Sequence, residues 1–275
     1  MNRKLLSLGC DRGVALIIVL LVTTLLIALV FEFAYATRVS LRAAVNFRDS
    51  QRAYFLARAG ITAFVKYNAL RDQIPPGEWA IVPMISTGDT EVKVKWEDEK
   101  GKLSINSIDR TPVSDWIDKL FIEQGIATDV YDRMIARKKE GLFNLITELH
   151  TLMKDEDYKK VAQFLTPYYS NQNVNLNTAS LEVLMSLGCS EGPAKTIIEL
   201  RTQERFSDIE KIKPYLPATF SLNNYNIEKT TLYRVYSYAT VGGYTKQIEA
   251  VIDLSTSGTS TIITSTPTPL YWRAL

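Results

Sequence analysis

Residues 14–31 read VALIIVLLVTTLLIALVF, and this stretch decides the architecture because its 18 residues include no charged side chain. Continued to Tyr35, the segment has 22 residues. As an α-helix it measures roughly 33 Å and crosses a hydrocarbon core of about 30 Å. Glu32 lies near one end, where its carboxylate reaches the membrane interface. We therefore predict a transmembrane helix over residues 14–35.

The preceding residues, 1–13, read MNRKLLSLGCDRG and carry three basic side chains against one acidic one. A secretory signal peptide has a shorter apolar run with a small-residue cleavage site after it, whereas FAYAT, which follows this long run, is a poor site of that kind. A lipoprotein signal would place Cys10 after the apolar run, and here the cysteine precedes it. The third interpretation is cleavage before the run, between Gly13 and Val14.

A basic leader, a glycine and an unbroken apolar helix resemble the start of type IV prepilin-like proteins. The resemblance implies that a prepilin peptidase removes residues 1–13 on the cytoplasmic side and that Val14 becomes N-methylated. It also implies a single-pass protein of the inner membrane, with a cytoplasmic N-terminus and a periplasmic C-terminal body. Arg38 and Arg42 beyond the span offset the basic leader, so charge does not decide this orientation.

The fifth residue after the expected cleavage is Ile18, at a position where most pilins and pseudopilins have Glu. That Glu pairs inside the membrane with the N-terminal ammonium of a neighbouring subunit, since an unpaired charge there is costly. A subunit at the tip of a filament has no subunit ahead of it and gains nothing from the carboxylate. In this respect the chain resembles the type II secretion system protein K (GspK) family of minor pseudopilins.

Residues 36–71 continue the helical pattern beyond the membrane, with no proline and one glycine, Gly60. Apolar side chains recur there at helical spacing: Val39, Ala43, Phe47, Tyr54, Ala57, Ile61, Phe64 and Val65. Pro75-Pro76-Gly77 then predicts the end of the helix. Residues 36–71 are therefore predicted to be the periplasmic part of one long helix.

The first strand pattern is EVKVKWE, residues 91–97, which alternates so that Val92, Val94 and Trp96 share one face. WAIVPMI, residues 79–85, is its candidate partner, and the proline within it indicates an edge position.

A second group of strand patterns lies near the C-terminus. Residues 232–241 and 244–254 flank Gly242-Gly243 and predict a hairpin. The Ser/Thr-rich stretch 255–269 predicts a loop or ragged strand, and LYWRAL after it predicts a last strand or docking tail. Neither group is large enough to fold alone, so residues 72–109 and 216–275 are predicted to build one sheet.

Residues 110–215, between the strand groups, have mostly helical patterns. Two segments there share Phe-x-x-Ile-x-x-(Leu/Ile): Phe143, Ile146 and Leu149 in one, and Phe206, Ile209 and Ile212 in the other. Thr178 is a predicted helix N-cap, and Gly188-Cys189-Ser190 a hairpin before a second helix, which together resemble a helix-hairpin-helix unit. The predicted fold class is α+β: a long N-terminal (transmembrane) helix packed on an antiparallel, pilin-like sheet, with an inserted all-α helix-hairpin-helix-like domain.

The resemblance to the GspK family extends over nearly the whole chain through motifs in a shared order. The inserted helical domain of that family typically carries N-x-N-T-A, matched by residues 175–179, and an earlier G-K-x-x-x-N, matched by residues 101–106. The C-terminal end of the family often reads like Leu270-Tyr271-Trp272-Arg273.

Helix-hairpin-helix units often bind DNA through backbone N–H groups of a glycine-rich hairpin. Here Ser190 replaces the second glycine, and Glu191 lies where a phosphate would bind. Three basic side chains are opposed by acidic ones, Lys195, Arg201 and Arg205 by Glu191, Glu199 and Glu204. The net charge of the chain is only +2, so nucleic acid is not expected as a partner.

Calcium is the metal that the family resemblance raises, because some members bind it through an acidic loop in the helical domain. It takes six to eight oxygen ligands, typically from clustered carboxylates. The candidate ligands are Asp115, Asp118, Asp129 and Asp132. No D-x-D-x-D-G loop occurs, and Asp115 suits the first turn of a helix. No cofactor is therefore expected, with calcium as the one metal that has candidate ligands.

Catalytic motifs do not stand out, since the sequence has no G-x-S-x-G, H-E-x-x-H, P-loop or C-x-x-C. His150 is the lone histidine and is expected at the surface or at a boundary. Cys10 leaves with the leader, and Cys189 is expected to be buried and unreactive. The chain is therefore not expected to be an enzyme.

The leading hypothesis is a minor pseudopilin at the tip of a type II secretion pseudopilus, which initiates or caps assembly and supports protein export across the outer membrane. The family resemblance implies as partners the other minor pseudopilins, the major pseudopilin and the prepilin peptidase. Secreted substrates and the outer-membrane channel are further candidates. A minor pilin of a type IV pilus and a membrane-anchored helix-hairpin-helix DNA-binding protein are the alternatives.

Overall fold

The computed structural model describes residues 8–170, 173–217, 225–255 and 269–275, with side chains from residue 13 onward. The α-helices are α1 (Leu8–Lys66), α2 (Asn68–Gln73), α3 (Val113–Glu123), α4 (Thr128–Glu140), α5 (Asp155–Val161), α6 (Leu181–Ser186) and α7 (Glu191–Gln203). The strands are β1 (Ala80–Ile81), β2 (Glu91–Asp98), β3 (Leu103–Ser104), β4 (Leu165–Thr166), β5 (Val174–Asn175), β6 (Tyr225–Asn226), β7 (Leu232–Val241), β8 (Tyr244–Asp253) and β9 (Tyr271–Ala274). Short 3₁₀ turns include Ile146–Thr151 and Ile209–Lys211.

The long N-terminal helix ends earlier than the prediction of residues 36–71. Tyr67 is extended, with φ −110° and ψ 100°, and α2 begins after it. The cause is Arg71, whose Nη1 donates to the carbonyls of Phe64 at 3.1 Å and Val65 at 2.5 Å. These are carbonyls of the last turn of α1, which lack helical partners when the helix stops. The side chain of Arg71 therefore replaces the N–H groups of a further turn.

The main sheet has five strands in the order β1-β2-β7-β8-β9, and every neighbouring pair is antiparallel. The predicted strand at 91–97 is confirmed as β2, with Val92 and Val94 fully buried. The stretch 79–85 contributes only β1, at the predicted edge. The C-terminal LYWRAL supplies β9 at the opposite edge, which confirms the last strand, while most of the Ser/Thr-rich stretch lies outside the described residues.

The predicted hairpin is confirmed as β7 and β8. Gly242 has φ 55° and Gly243 has φ 83°, so both central residues adopt the left-handed conformation of a two-residue type I′ turn. A side chain at Gly242 would also press on Asp49 of α1, because a Cβ there would lie 2.7 Å from Oδ2. The turn therefore packs closely against α1.

Two separate hydrophobic cores result from this arrangement. The sheet core lies between α1 and the main sheet and includes Ala57, Ile61, Phe64, Val235 and Ala250. The residues between β2 and β7 form a helical block. The helical core lies within this block and includes Ile117, Leu120, Phe143, Leu184 and Ile197. The chain enters and leaves the block through β2 and β7, which pair with each other along the full length of β2.

Candidate assembly site

The N-terminal part of α1 is not covered by any other part of the chain that the structure describes. All described residues from Gly13 to Ala44 are exposed, and Phe33 reaches 75% exposure. Among the described residues, one helix is long and apolar enough to cross a membrane, and none of its most apolar 18-residue window is buried. An apolar surface of this size requires a membrane or another protein around it.

Polar groups within the apolar segment are satisfied by the helix itself. The hydroxyl of Thr23 donates to the carbonyl of Val19 at 2.9 Å, and that of Thr24 to the carbonyl of Leu21 at 2.9 Å. Because hydrocarbon offers no hydrogen-bond partners, this internal pairing makes the two threonines compatible with a lipid environment.

The residues named for processing and assembly all lie on this free part of α1. Gly13 and Val14 are exposed and helical, while residues 1–7 of the predicted leader lie outside the described residues. Ile18 is 57% exposed, and Glu32 is also exposed, in the same unpartnered segment. All four residues are therefore accessible to a partner.

The second half of α1 packs closely on the sheet at Gly60. A Cβ at this position would collide with Ser237 Oγ and lie 3.1 Å from Val92 Cγ1. The opposite face of the helix remains open, with Phe47 67% exposed and Phe55 59% exposed. The helix therefore presents aromatic side chains outward beyond its apolar segment.

The helical block is built from two units of similar order. The first unit (103–166) runs from β3 through α3 and α4 to β4, and the second unit (174–226) runs from β5 through α6 and α7 to β6. In each unit the first and last strands pair in parallel. The second helix of each unit, α4 or α7, has 13 residues. The Phe-x-x-Ile repeat follows both helices, so the repeat in sequence corresponds to a repeat in structure.

In each unit, an asparagine side chain near the start forms two hydrogen bonds with the main chain of the repeated phenylalanine and so closes the unit. Asn106 Nδ2 donates to the carbonyl of Phe143 at 2.9 Å, and its Oδ1 accepts from the N–H of Phe143 at 2.8 Å. Asn177 makes the same pair with Phe206, at 3.0 and 2.8 Å. Both asparagines lie in the sequence motifs described above, but the motifs did not predict this role. The signal for it was present in Ile105-Asn106-Ser107 and Leu176-Asn177-Thr178, an apolar-Asn-hydroxyl triplet at the start of each unit.

Two buried carboxylates at the end of β2 join the block to the sheet. Asp98 accepts hydrogen bonds from Thr230 at 2.5 Å, and from Thr178 and Asn175 at 2.7 Å each. Thr178 is therefore not the predicted N-cap of α6. Ser180 takes that place, because its hydroxyl accepts from the N–H of Val183 at 3.3 Å.

Glu99 is fully buried and is held by two cations. Lys102 lies 2.8 Å and Arg234 2.6 Å from its Oε1, and Thr166 donates to Oε2. Burial acts to raise the pKa of Glu99, but the two cations outweigh it and lower that pKa to about 2. Asp98 and Glu99 thus connect β2 and β7 to both helical units.

The hairpin of the second unit does not have the surface of a phosphate-binding loop. Glu191 opens α7 and pairs with Lys195 at 2.6 Å. Cys189 is 4% exposed, and burial raises the pKa of its thiol to about 11, which confirms the expected burial. Arg201 is not opposed by a glutamate, contrary to the predicted balance, because it donates to the carbonyls of Leu176 at 2.9 Å and Ala179 at 2.6 Å.

The four aspartates named as candidate calcium ligands lie on α3 and α4. Asp129 pairs with Arg133 at 3.1 Å. Across the described part of the chain, no three carboxylate, imidazole or thiol side chains are gathered so that they could hold a metal ion. Asp115, Asp118, Asp129 and Asp132 are therefore not brought together into such a group. His150 is exposed and stacks on Tyr158, with ring centroids 3.7 Å apart.

Comparison with solved structures gives a likeness in fold. No protein-family model and no curated protein matches the chain. Among solved structures, the chain is similar to a chain in the crystal structure of the GspK-GspI-GspJ complex from the type 2 secretion system of enterotoxigenic Escherichia coli. The TM-score is 0.57 at 13% sequence identity, and the match covers 86% of this chain and 98% of that chain. The likeness confirms the α+β, pilin-like fold class, with a long N-terminal apolar helix and an antiparallel sheet.

Proposed function

We propose that this chain is a minor pseudopilin at the tip of a type II secretion pseudopilus, where it initiates or caps assembly. It would be a single-pass protein of the inner membrane with a periplasmic body. The role is structural and needs neither a cofactor nor catalytic residues. The observation that carries the proposal is α1, one unbroken helix whose second half packs on the sheet and whose apolar first half is not buried by any other described residue.

A helix of this kind fits two surroundings in turn. In the membrane, its apolar first half is covered by lipid. In a filament, the same surface is covered by the helices of neighbouring subunits, and Phe47 and Phe55 extend the contact beyond the lipid. The fold likeness to a chain of a complex named for three secretion-system proteins supports partners of this class.

The tip position is supported by Ile18 and by the helical block. An isoleucine at this site offers no carboxylate to the N-terminal ammonium of a subunit ahead of it. The block lies beyond the end of α1 that is remote from the apolar half, since Arg71 of α2 and Arg201 of α7 line one cavity. A block at that end would obstruct a further subunit.

The test is co-purification of the full chain, in detergent, with the other minor pseudopilins and the major pseudopilin of the same cell. We expect the native chain to retain the minor pseudopilins. Phe55→Asp should lose most of this association, because it puts a charge on the outer face of α1, while Lys159→Glu on exposed α5 should retain it. Failure of the native chain to retain any pseudopilin would contradict the proposal, and retention of type IV pilins instead would favour a minor pilin.

Processing gives a second test in cells with an active prepilin peptidase. We expect mass spectrometry of the native chain to find Val14 as the N-terminus, N-methylated. Gly13→Val should leave residues 1–13 attached, and Gly192→Ala, a glycine substitution in α7, should not. A native chain that keeps its first 13 residues would overturn the proposed leader.

A further inference from the structure

A cavity of about 270 Å³ lies where three parts of the molecule meet. One wall is formed by α2 and the residues that follow it, the sheet contributes Trp96 and Tyr233, and the second unit contributes Asn177 and Arg201. The volume is slightly below the range of pockets for drug-sized ligands, about 300–1,000 Å³. It therefore suits a small group or one side chain of a bound peptide.

The lining of the cavity is strongly cationic. Its charged side chains are Arg71, Arg201, Arg205, Lys229 and Asp72. The single carboxylate, Asp72, is already paired with Lys229. Among the described residues, no carboxylate forms an ion pair with any of the three arginines.

Arg71 is the most constrained of these cations. Its side chain turns back to the end of α1, so the residue is only 8% exposed. Three of its donors are used, by two main-chain carbonyls and by Asn68. Its Nε has no hydrogen-bond partner among the described residues. A buried guanidinium with an unused donor is costly, so a negative charge close to it would be favourable.

Arg201 and Arg205 add to the unbalanced charge. Among the described residues, the guanidinium of Arg201 donates to main-chain carbonyls only, and burial lowers its pKa to about 10. The guanidinium of Arg205 makes one long hydrogen bond, 3.4 Å, to the carbonyl of Ile227. Each would gain from a negative charge placed between them and Arg71.

We propose that this cavity is a carboxylate-binding site, which takes either a small organic acid or an acidic side chain of a bound protein. Arg71 would offer its positive charge to the carboxylate from the buried end. Arg205, at the exposed rim, would donate from the other side, since planar guanidinium groups match carboxylate geometry. Neither the position of the chain in a filament nor its processing enters this inference.

Isothermal titration calorimetry of the full chain in detergent micelles tests the proposal. The probes are succinate, the peptide acetyl-Gly-Glu-Glu-Gly-amide and the same peptide with Gln for Glu. We expect saturable binding of succinate or of the Glu peptide, and none of the Gln peptide. Binding of succinate alone indicates a free acid as the ligand, and binding of the Glu peptide alone indicates a protein side chain.

Charge variants test whether carboxylate binding depends on the side chains of this cavity. Arg205→Glu should weaken binding by at least about tenfold, because it replaces a donor with a like charge. Arg205→Gln should weaken it less, and Lys159→Glu, an equal charge reversal on α5, should leave it unchanged. The proposal fails if neither carboxylate probe binds saturably, if the Gln peptide binds equally well, or if Arg205→Glu binds like Lys159→Glu.

Discussion

Gly60 is the residue on which the contact between α1 and the sheet depends. Its missing side chain lets the helix backbone approach Ser237 and Val92 on the buried face of the sheet. Glycine within a helix costs up to about 1 kcal/mol relative to alanine, so the close approach must offset that loss. Ser237 itself is fully buried, and its hydroxyl has no hydrogen-bond partner among the described residues.

Gly60→Ala should therefore destabilise the chain although alanine is the better helix former. We expect a loss of about 1–3 kcal/mol in the free energy of unfolding, since the new methyl overpacks the contact. Ser237→Ala should be neutral or stabilising, because it removes an unsatisfied buried hydroxyl, and should partly rescue Gly60→Ala. Denaturant unfolding of the native chain, the two single variants and the double variant measures this coupling.

Gly192 in α7 is the matched control for this substitution. A Cβ there meets no atom within 4 Å. Gly192→Ala should accordingly stabilise the chain by up to about 1 kcal/mol. If Gly60→Ala stabilised the chain by the same amount, the close contact would not be the reason for the glycine.

The two helical units are each closed by one asparagine rather than by a long ladder of hydrogen bonds. Each unit has only a two-residue parallel strand pair at its ends. Asn106 therefore carries much of the connection between the start of the first unit and Phe143, 37 residues later. It also donates to the carbonyl of Pro167 at 2.6 Å.

Asn106→Ala should be strongly destabilising because it leaves the buried N–H and carbonyl of Phe143 without their partner. At about 1–3 kcal/mol for each unsatisfied group, we expect a total loss of at least about 2 kcal/mol. Asn177→Ala should behave alike in the second unit. Asn144→Ala, at an exposed asparagine, is the control and should change the thermal unfolding midpoint little. A mild effect of Asn106→Ala would mean that the strand pairs close the units.

Elements with a local pattern were predictable from the sequence, and connections between distant residues were not. The apolar run of α1, the alternation in β2 and the Gly242-Gly243 turn each depend on neighbours in sequence, and all three predictions are confirmed. The break at Tyr67 was missed because it depends on how Arg71 folds back. The asparagine closures were missed because they join residues 37 and 29 positions apart.

The described residues form two hydrophobic cores, and Asp98 and Glu99 lie at the junction between them. Glu99 links the first unit, through Thr166, to Arg234 of the sheet. Arg234 also pairs with Glu249, so the charge of the buried carboxylate is balanced within one network. The stability of the connection between the helical block and the sheet should therefore depend on pH.

Acid should weaken the molecule through Glu99. Its folded pKa, about 2, is below the usual value of 4.5, so ionised Glu99 contributes stability above about pH 4.5. That contribution, about 3 kcal/mol at one pKa unit per 1.36 kcal/mol, is lost as the pH falls toward 2. Glu99→Gln should show a flatter dependence between these pH values, and exposed Glu78→Gln should follow the native chain. Parallel pH profiles for all three would exclude Glu99 as the cause.

Asp98 gives the sharpest test of how the two cores are coupled. Its carboxylate accepts from Thr178 and Asn175 of the second unit and from Thr230 beside β7, so one side chain ties a helical unit to the sheet. We expect the native chain to unfold in a single calorimetric transition. Asp98→Ala leaves these donors without their acceptor and should separate unfolding into two transitions, the helical core first, since its connection to the sheet is the part removed. Asp132→Ala, an exposed aspartate on α4, should keep one transition. One transition for Asp98→Ala, merely shifted in temperature, would mean that the strand pairing of β2 with β7 is enough to make the two cores unfold together.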